Sequence, residues 1–413
     1  MPARFIQIHT LTPYHASLLN RDDAGFAKRI PFGGSTRTRI SSQCLKRHWR
    51  RHVGADSLSG IDGAEMSVRS RETFDRFVVQ PLVDDWGVAA PLAKAVANKL
   101  QALVLGQKEK ADKKAKAGTE EVDAPEEAPQ GTDSKQVTVL GRVELRYLVD
   151  LAADIAGNAG VQAAAVATGR DAVKKLSDEI GMHLDDKELK KNLAALGRGA
   201  EGLDGAVFGR MVTSDVLGRT DAAVHVAHAF TVHKEEAESD YFSAIDDLVA
   251  ETGALGSGHI NSTELNTGLY YGYVVIDVGG LQANLAGLKA ADQIVAEVVR
   301  RLIHTIASVS PGAKKGATAP YSRAHLVLVE AGDAQPRSLA NAFLKPIGKG
   351  DDLQGAAYRA LAAHLADLDG AYETGEERRA MALEPRKQLG WGEDVLTAKL
   401  ADVATWAASQ VRG

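Results

Sequence analysis

A single cysteine, Cys44, occurs in 413 residues, which rules out an intramolecular disulfide and a cysteine-based zinc site. That usage fits a reducing cytoplasm. No apolar run approaches the roughly 18–20 residues that a membrane helix needs. The opening MPARFIQIHTL is broken by Gln7 and His9, so a signal peptide is not expected. The P-loop, the His-Glu-x-x-His and Gly-x-Ser-x-Gly motifs and the dinucleotide fingerprint are all missing. The most informative absence is local: in a chain of formal net charge −5, Ala24–Ala55 contains no Asp or Glu. The same window carries Lys28, Arg29, Arg37, Arg39, Lys46, Arg47, Arg50 and Arg51. A mildly acidic chain is not a generally sticky basic protein, so any polyanion site must be confined to this stretch.

What is present is ordinary for a globular protein, with 45% hydrophobic and 25% charged residues, enough for two or three structural units. RFIQIHTL alternates Ile6 and Ile8 with Gln7 and His9, as a half-buried strand does. Ser41 is a candidate N-cap for a helix whose apolar stripe is Leu45, Trp49 and Val53. Residues 61–105 and 137–197 read mainly as helices. Residues 107–136 hold six Lys, eight acids and Val122 as their sole large aliphatic, so they read as a disordered insertion. From Gly205 the pattern turns to strands: GAVFGRM, AAVHVAHAF, LNTGLYYGYVVIDV and AHLVLVE. A helix around Leu281–Val309 lies between the last two, another starts at Ser338, and the chain beyond Leu353 reads as helical. The organisation is α+β: a β-containing domain from 1–60 and 201–350, a helical insertion over 61–200, and a helical segment over 351–413.

On the Ser41 helix, Gln43, Lys46, Arg47 and Arg50 face away from Leu45 and Trp49. Lys46 and Arg50 stand one turn apart and repel unless an anion lies between them. A capped helix N-terminus adds N–H groups that suit phosphate. A solvated helix face is the plain alternative; the cations upstream and the Gly33-Gly34 pair favour a polyanion surface, most simply nucleic acid. His225, His228 and His233 fall on opposite sides of one strand, so convergence on a metal is not expected. Asp22 and Asp23 could serve a metal or acid–base chemistry, or anchor a loop. Tyr271-Gly272-Tyr273-Val274 partly matches the aromatic strand by which RRM domains stack bases, and equally a central strand with buried tyrosines.

Taken together these segments resemble the CasC family, the backbone subunit of type I-E CRISPR Cascade complexes, within the RAMP superfamily. The resemblance rests on the opening strand with His9, Asn20-Arg21-Asp22, Phe32-Gly33-Gly34, and Arg39-Ile40-Ser41-Ser42-Gln43 with Leu45-Lys46-Arg47. It continues in order through GRMVTSD, AHAFTVH, DDL (246–248), TELNTGLYYGYVVI, PGAKK and SLANAF. It implies a right-hand architecture: a modified RRM-like (ferredoxin-like) palm, helical fingers and a β-hairpin thumb at about 250–266. It implies CRISPR RNA, the target DNA strand, further copies of the chain and other Cascade subunits as partners, and no cofactor or metal. Asn20, Arg21, Lys28, Arg39, Ser41, Gln43, Lys46, Arg47 and Arg50 would meet the RNA backbone, with Met211 an apolar wedge near a flipped nucleotide and Thr213 a further RNA contact. Leu255 or Ile260 would be the thumb wedge. Where the family's strand has an Arg between the aromatics, this chain has Gly272. The competing expectations are an RNA endonuclease of the same superfamily using His9, His15 or Asp22/Asp23, and a general single-stranded RNA-binding protein.

Overall fold

The computed structural model describes residues 2–106, 137–169, 171–212, 214–245, 257–348, 350, 352–384, 389–392 and 395–411. The stretch 107–136, read above as a disordered insertion, lies outside the described residues, as do Thr213, the DDL motif and Leu255. The chain divides into two compact units, Met1–Asp62 with Ala223–Gln282 and Ala290–Gly413, and Gly63–Ala222 with Ala283–Lys289.

The first unit is α+β, built on a large mixed sheet. Its strands are β1 (Phe5–Ser17), β2 (Arg29–Phe32), β3 (Ser35–Ile40), β6 (Val224–Val226), β7 (Ala229–Thr231), β8 (Ala237–Ile245), β9 (Ser257–Asp277), β10 (Leu326–Gly332), β11 (Glu377–Ala382) and β12 (Val395–Thr397). The spatial order is β12-β11-β10-β1-β9-β7-β3-β2, with β6 and β8 also on β9. All these pairings are antiparallel except β11–β12. β1 is central, with Leu11 opposite Tyr271 of β9 on one side and Leu326 of β10 on the other.

Both faces of β1 are covered, which corrects the half-buried reading. Ile8, Thr10, Tyr14, Tyr270 and Val274 line the face under Leu45, Trp49 and Ile306. Leu11, Leu269 and Tyr271 pack on the other face with Phe343, Tyr358 and Leu361. Gln7 and His9 are buried there because polar partners await them: Tyr273 Oη donates to Gln7 Oε1 at 2.8 Å, and His9 Nε2 lies 3.0 Å from Glu330 Oε2. Burial of Tyr270 and Tyr271 makes them core residues rather than base-stacking platforms. Gly272 stands opposite Thr10, where a Cβ would lie 2.6 Å from Thr10 Oγ1.

Four stretches differ from the sequence reading. The helix expected from Ser338 is a short 3-10 turn, Ala340–Phe343. GAVFGRM is helical up to Phe208, in the helix Leu203–Phe208. The segment near Leu281–Val309 is two helices, Val278–Leu285 and Ala291–Ser308. Beyond the helix Leu353–Tyr372 the chain returns to the sheet as β11 and β12 before its last helix, Leu400–Ser409. In β11 Arg378 and Ala380 are buried, and Arg378 is neutralised there by Asp369 and Glu330, so an Ala- and Arg-rich segment can lie in a sheet.

The second unit is helical apart from a ribbon of β4 (Val68–Ser70) and β5 (Thr138–Leu140). Val96, Leu100, Leu148, Ile155 and Leu189 belong to one apolar core, from the helices Ala90–Val104, Arg142–Gly157 and Asp186–Ala195. Glu144 there accepts the Gly141 N–H at 2.8 Å and pairs with buried Arg210 at 2.6 Å. No helix among the described residues is long and apolar enough to cross a membrane.

Candidate nucleic-acid interface

The basic window folds as the β2–β3 hairpin followed by α1 (Ser42–Arg50). Ser41 starts the helix: its Oγ accepts the Cys44 N–H at 3.3 Å, while its own N–H donates to Asn20 Oδ1 at 2.8 Å. Leu45 and Trp49 bury the inner face, each worth about 1.5–3 kcal/mol of apolar transfer. The helix ends at Arg50, so Val53 falls outside the expected stripe and is 88% exposed. Asn20 and Ser41 therefore hold the entry to α1, with Asn20 O also accepting the Lys28 N–H at 2.9 Å.

The eight cations separate sharply once folded. Arg37 is fully buried, with its guanidinium donating to the carbonyls of Thr231 at 2.8 Å, His233 at 3.4 Å and Phe343 at 2.9 Å. It is a tie between chain segments. Arg29 is neutralised by Glu264 at 2.6 Å and by Glu235. Gly33 does not serve ligand approach either: at φ +58° its missing Cβ would lie 1.6 Å from Leu344 O, so the turn docks on its own chain.

Lys28, Arg39, Arg47 and Arg51 form no ion pair among the described residues. Gln43 and Arg47 are exposed on the outer side of α1, and Lys46 and Arg50 are half-buried. Burial lowers the Lys46 ammonium from its ordinary value. Two histidines lie beside these cations. Partial desolvation of its ring, with Arg39 and Lys28 beside it, pushes His228 below its usual value. Burial also lowers His48, partly offset by its bond to Cys44 O, with Lys315, Arg47 and Arg51 adding to the lowering. Lys315 escaped the sequence reading of the site. Its loop reaches α1 because Ala313 N–H donates to Leu18 O at 2.9 Å, a contact between positions far apart in sequence. The PGAKK motif was the available signal.

The remaining expected residues scatter. Arg21 is exposed and bridges Ala27 through its backbone. Asp22 anchors a turn, its Oδ1 accepting the Phe26 N–H at 2.9 Å. Asp23 and His15 are exposed, whereas His9 is sealed in the sheet between Tyr271 and Glu330. His225 lies in β6, His228 between β6 and β7, and His233 beyond β7, where its Nε2 accepts the Leu269 N–H at 3.2 Å. Met211 belongs to the second unit and is 90% exposed. Ile260 lies in β9 opposite Ser243 of β8.

Comparison with known proteins follows the whole chain. The family model described as CT1975-like protein matches residues 6–406. A chain of the solved structure "CRISPR RNA-guided surveillance complex, pre-nicking" is 26% identical, with a TM-score of 0.73, covering 98% of this chain and 100% of that one. A chain of another, "CRISPR RNA-guided surveillance complex", shares the fold at 20% identity and a TM-score of 0.55, covering 98% and 99%. No curated protein matches the sequence.

Proposed function

The chain belongs to the CT1975-like protein family, and from that premise we propose that it is a non-enzymatic subunit of a CRISPR RNA-guided surveillance complex that grips the guide RNA backbone. The observation that carries this reading is the group of Lys28 and Arg39 beside His228, with Arg47 in the last turn of α1, none of them in an ion pair among the described residues. Guide sequences vary, so a general grip must hold phosphate and ribose and leave base edges free for pairing. The finer reading is the type I-E backbone subunit. The first unit acts as palm, the second as fingers, and the β8–β9 hairpin as a thumb that displaces one nucleotide per boundary. Copies stack head to tail on one RNA, where repetition of a modest site builds avidity.

The decisive experiment is to purify the chain from cells expressing a CRISPR array and its neighbouring subunits, and to sequence the bound RNA. Uniform guide-length RNA is expected. Mixed cellular RNA would overturn the assignment in favour of a general single-strand binder. Metal-dependent cleavage of labelled RNA that Asp22→Ala abolishes would overturn the non-enzymatic part.

A further inference from the structure

The contact between Arg39 and His228 fixes a chemical fact about the imidazole. Arg39 Nη1 lies 3.0 Å from His228 Nδ1. A guanidinium has only donors, so Nδ1 must be the acceptor and the ring proton must sit on Nε2. Arg39 is itself held in place, with its Nε donating to Arg29 O at 3.0 Å and its N–H to Lys28 O at 2.8 Å. His228 is exposed, in the short connection between β6 and β7, and its Nε2 makes no hydrogen bond among the described residues. The ring thus offers one outward N–H, with its tautomer set from behind by a cation.

We propose that His228 is an RNA-backbone contact of this site, donating its Nε2–H as a neutral imidazole to a phosphate or ribose oxygen, with Arg39 as its positioning residue. This inference rests on the RNA-gripping reading above. The charged groups facing the ring are Arg39 of β3 and Lys28 ahead of β2. Both oppose a positive ring, and a proton on Nδ1 would also break the bond from Arg39. His228 therefore differs from the lysines and arginines around it. It supplies direction without charge, so it adds affinity that salt does not screen. Oxygen acceptors recur at every nucleotide, so the contact is blind to sequence, as a guide-holding surface requires.

The test uses the full chain and a fluorescein-labelled, unstructured single-stranded RNA, with binding read by anisotropy across salt concentration and from pH 6 to pH 8. His228→Ala is expected to weaken binding about 5-fold, the worth of one neutral hydrogen bond. The salt slope should stay as in the parent protein, and the loss should be equal at both ends of the pH range. His228→Gln, whose amide N–H can occupy the Nε2 position, should recover most of the affinity. Arg39→Ala should remove the benefit of His228, so that adding His228→Ala to it costs little more. The inference is overturned if His228→Ala binds like the parent, or if its loss grows as the pH falls, which would mark an imidazolium contact. It is also overturned if Gln does no better than Ala. If Lys28→Ala with Arg47→Ala also leaves binding unchanged, the RNA reading itself fails. If that pair weakens binding and His228→Ala does not, the histidine inference alone fails.

Discussion

Two groups of positive charge in the same unit have opposite fates. Around Glu330, in the sheet, Arg337 binds the carboxylate at 2.9 and 3.0 Å and Arg378 at 2.7 Å, while Arg378 also holds Asp369 at 2.6 Å. Around α1, Lys28, Arg39 and Arg47 form no ion pair among the described residues. Inside the protein a cation without a counter-charge is costly, so the buried set is paired and serves the fold. On the surface water offsets part of that cost, and cations can be left waiting for an anion from elsewhere. Charge count alone would not tell the two groups apart; the location of the carboxylates does.

Disturbing the buried group should have the largest effect. Glu330→Gln should cost about 3–5 kcal/mol, because it leaves buried Arg378 and half-buried Arg337 under-compensated, as measured by guanidinium denaturation. Burial alone would raise the Glu330 carboxyl, but His9 and Arg337 hold it well below its ordinary value. A depressed folded-state value gives stability that is present above the unfolded carboxyl value of about 4.3 and lost as pH falls below it. The Gln variant should therefore show a flatter acid limb. An unchanged midpoint and acid limb would mean that the network does not hold the sheet.

Next in size is Gly33→Ala, expected to lower stability by about 2–3 kcal/mol through the clash with Leu344 O and the left-handed backbone. Gly34, at φ +70° with open space at its Cβ, should cost only about 1 kcal/mol on the same change. Equal melting temperatures for the two would remove the docking role given to Gly33. The surface group should behave in the reverse way. Lys28→Ala with Arg47→Ala should leave the melting temperature nearly unchanged while weakening RNA binding about 10-fold at low salt. Its salt slope should fall by about 0.7 for each phosphate that is no longer neutralised. Smallest of all, Val53→Ser should stay within about 0.5 kcal/mol of the parent in urea melts, because its side chain already faces water.

Local features were legible in the sequence. The Ser41 cap and the Leu45–Trp49 face follow from spacing within one helix, and the strand patterns of β1, β9 and β10 from alternation and β-branched residues. What escaped was set at long range. Arg29 looked like a free cation because its acids, Glu235 and Glu264, lie 206 and 235 residues away. Arg37 looked the same because its partners are backbone carbonyls, which leave no mark in a sequence. Gln7 and His9 suggested a wet face, although the polar groups that cover them, Tyr273 and Glu330, lie 266 and 321 residues further along. Val53 kept the helical period, but the helix had already ended at Arg50.

The pairing of β1 also sets a timetable for synthesis. Its partner β10 is made roughly 320 residues after it, which at about 5–20 residues per second is on the order of 15–65 s later. Throughout that interval Ile6, Ile8 and Leu11, which end up fully buried, have left the ribosome without the strand that will complete their sheet. The nascent chain thus carries an open, apolar strand edge for most of its translation. Holding that edge apart from other nascent chains is a task for the cell's chaperones before the protein can meet any ligand.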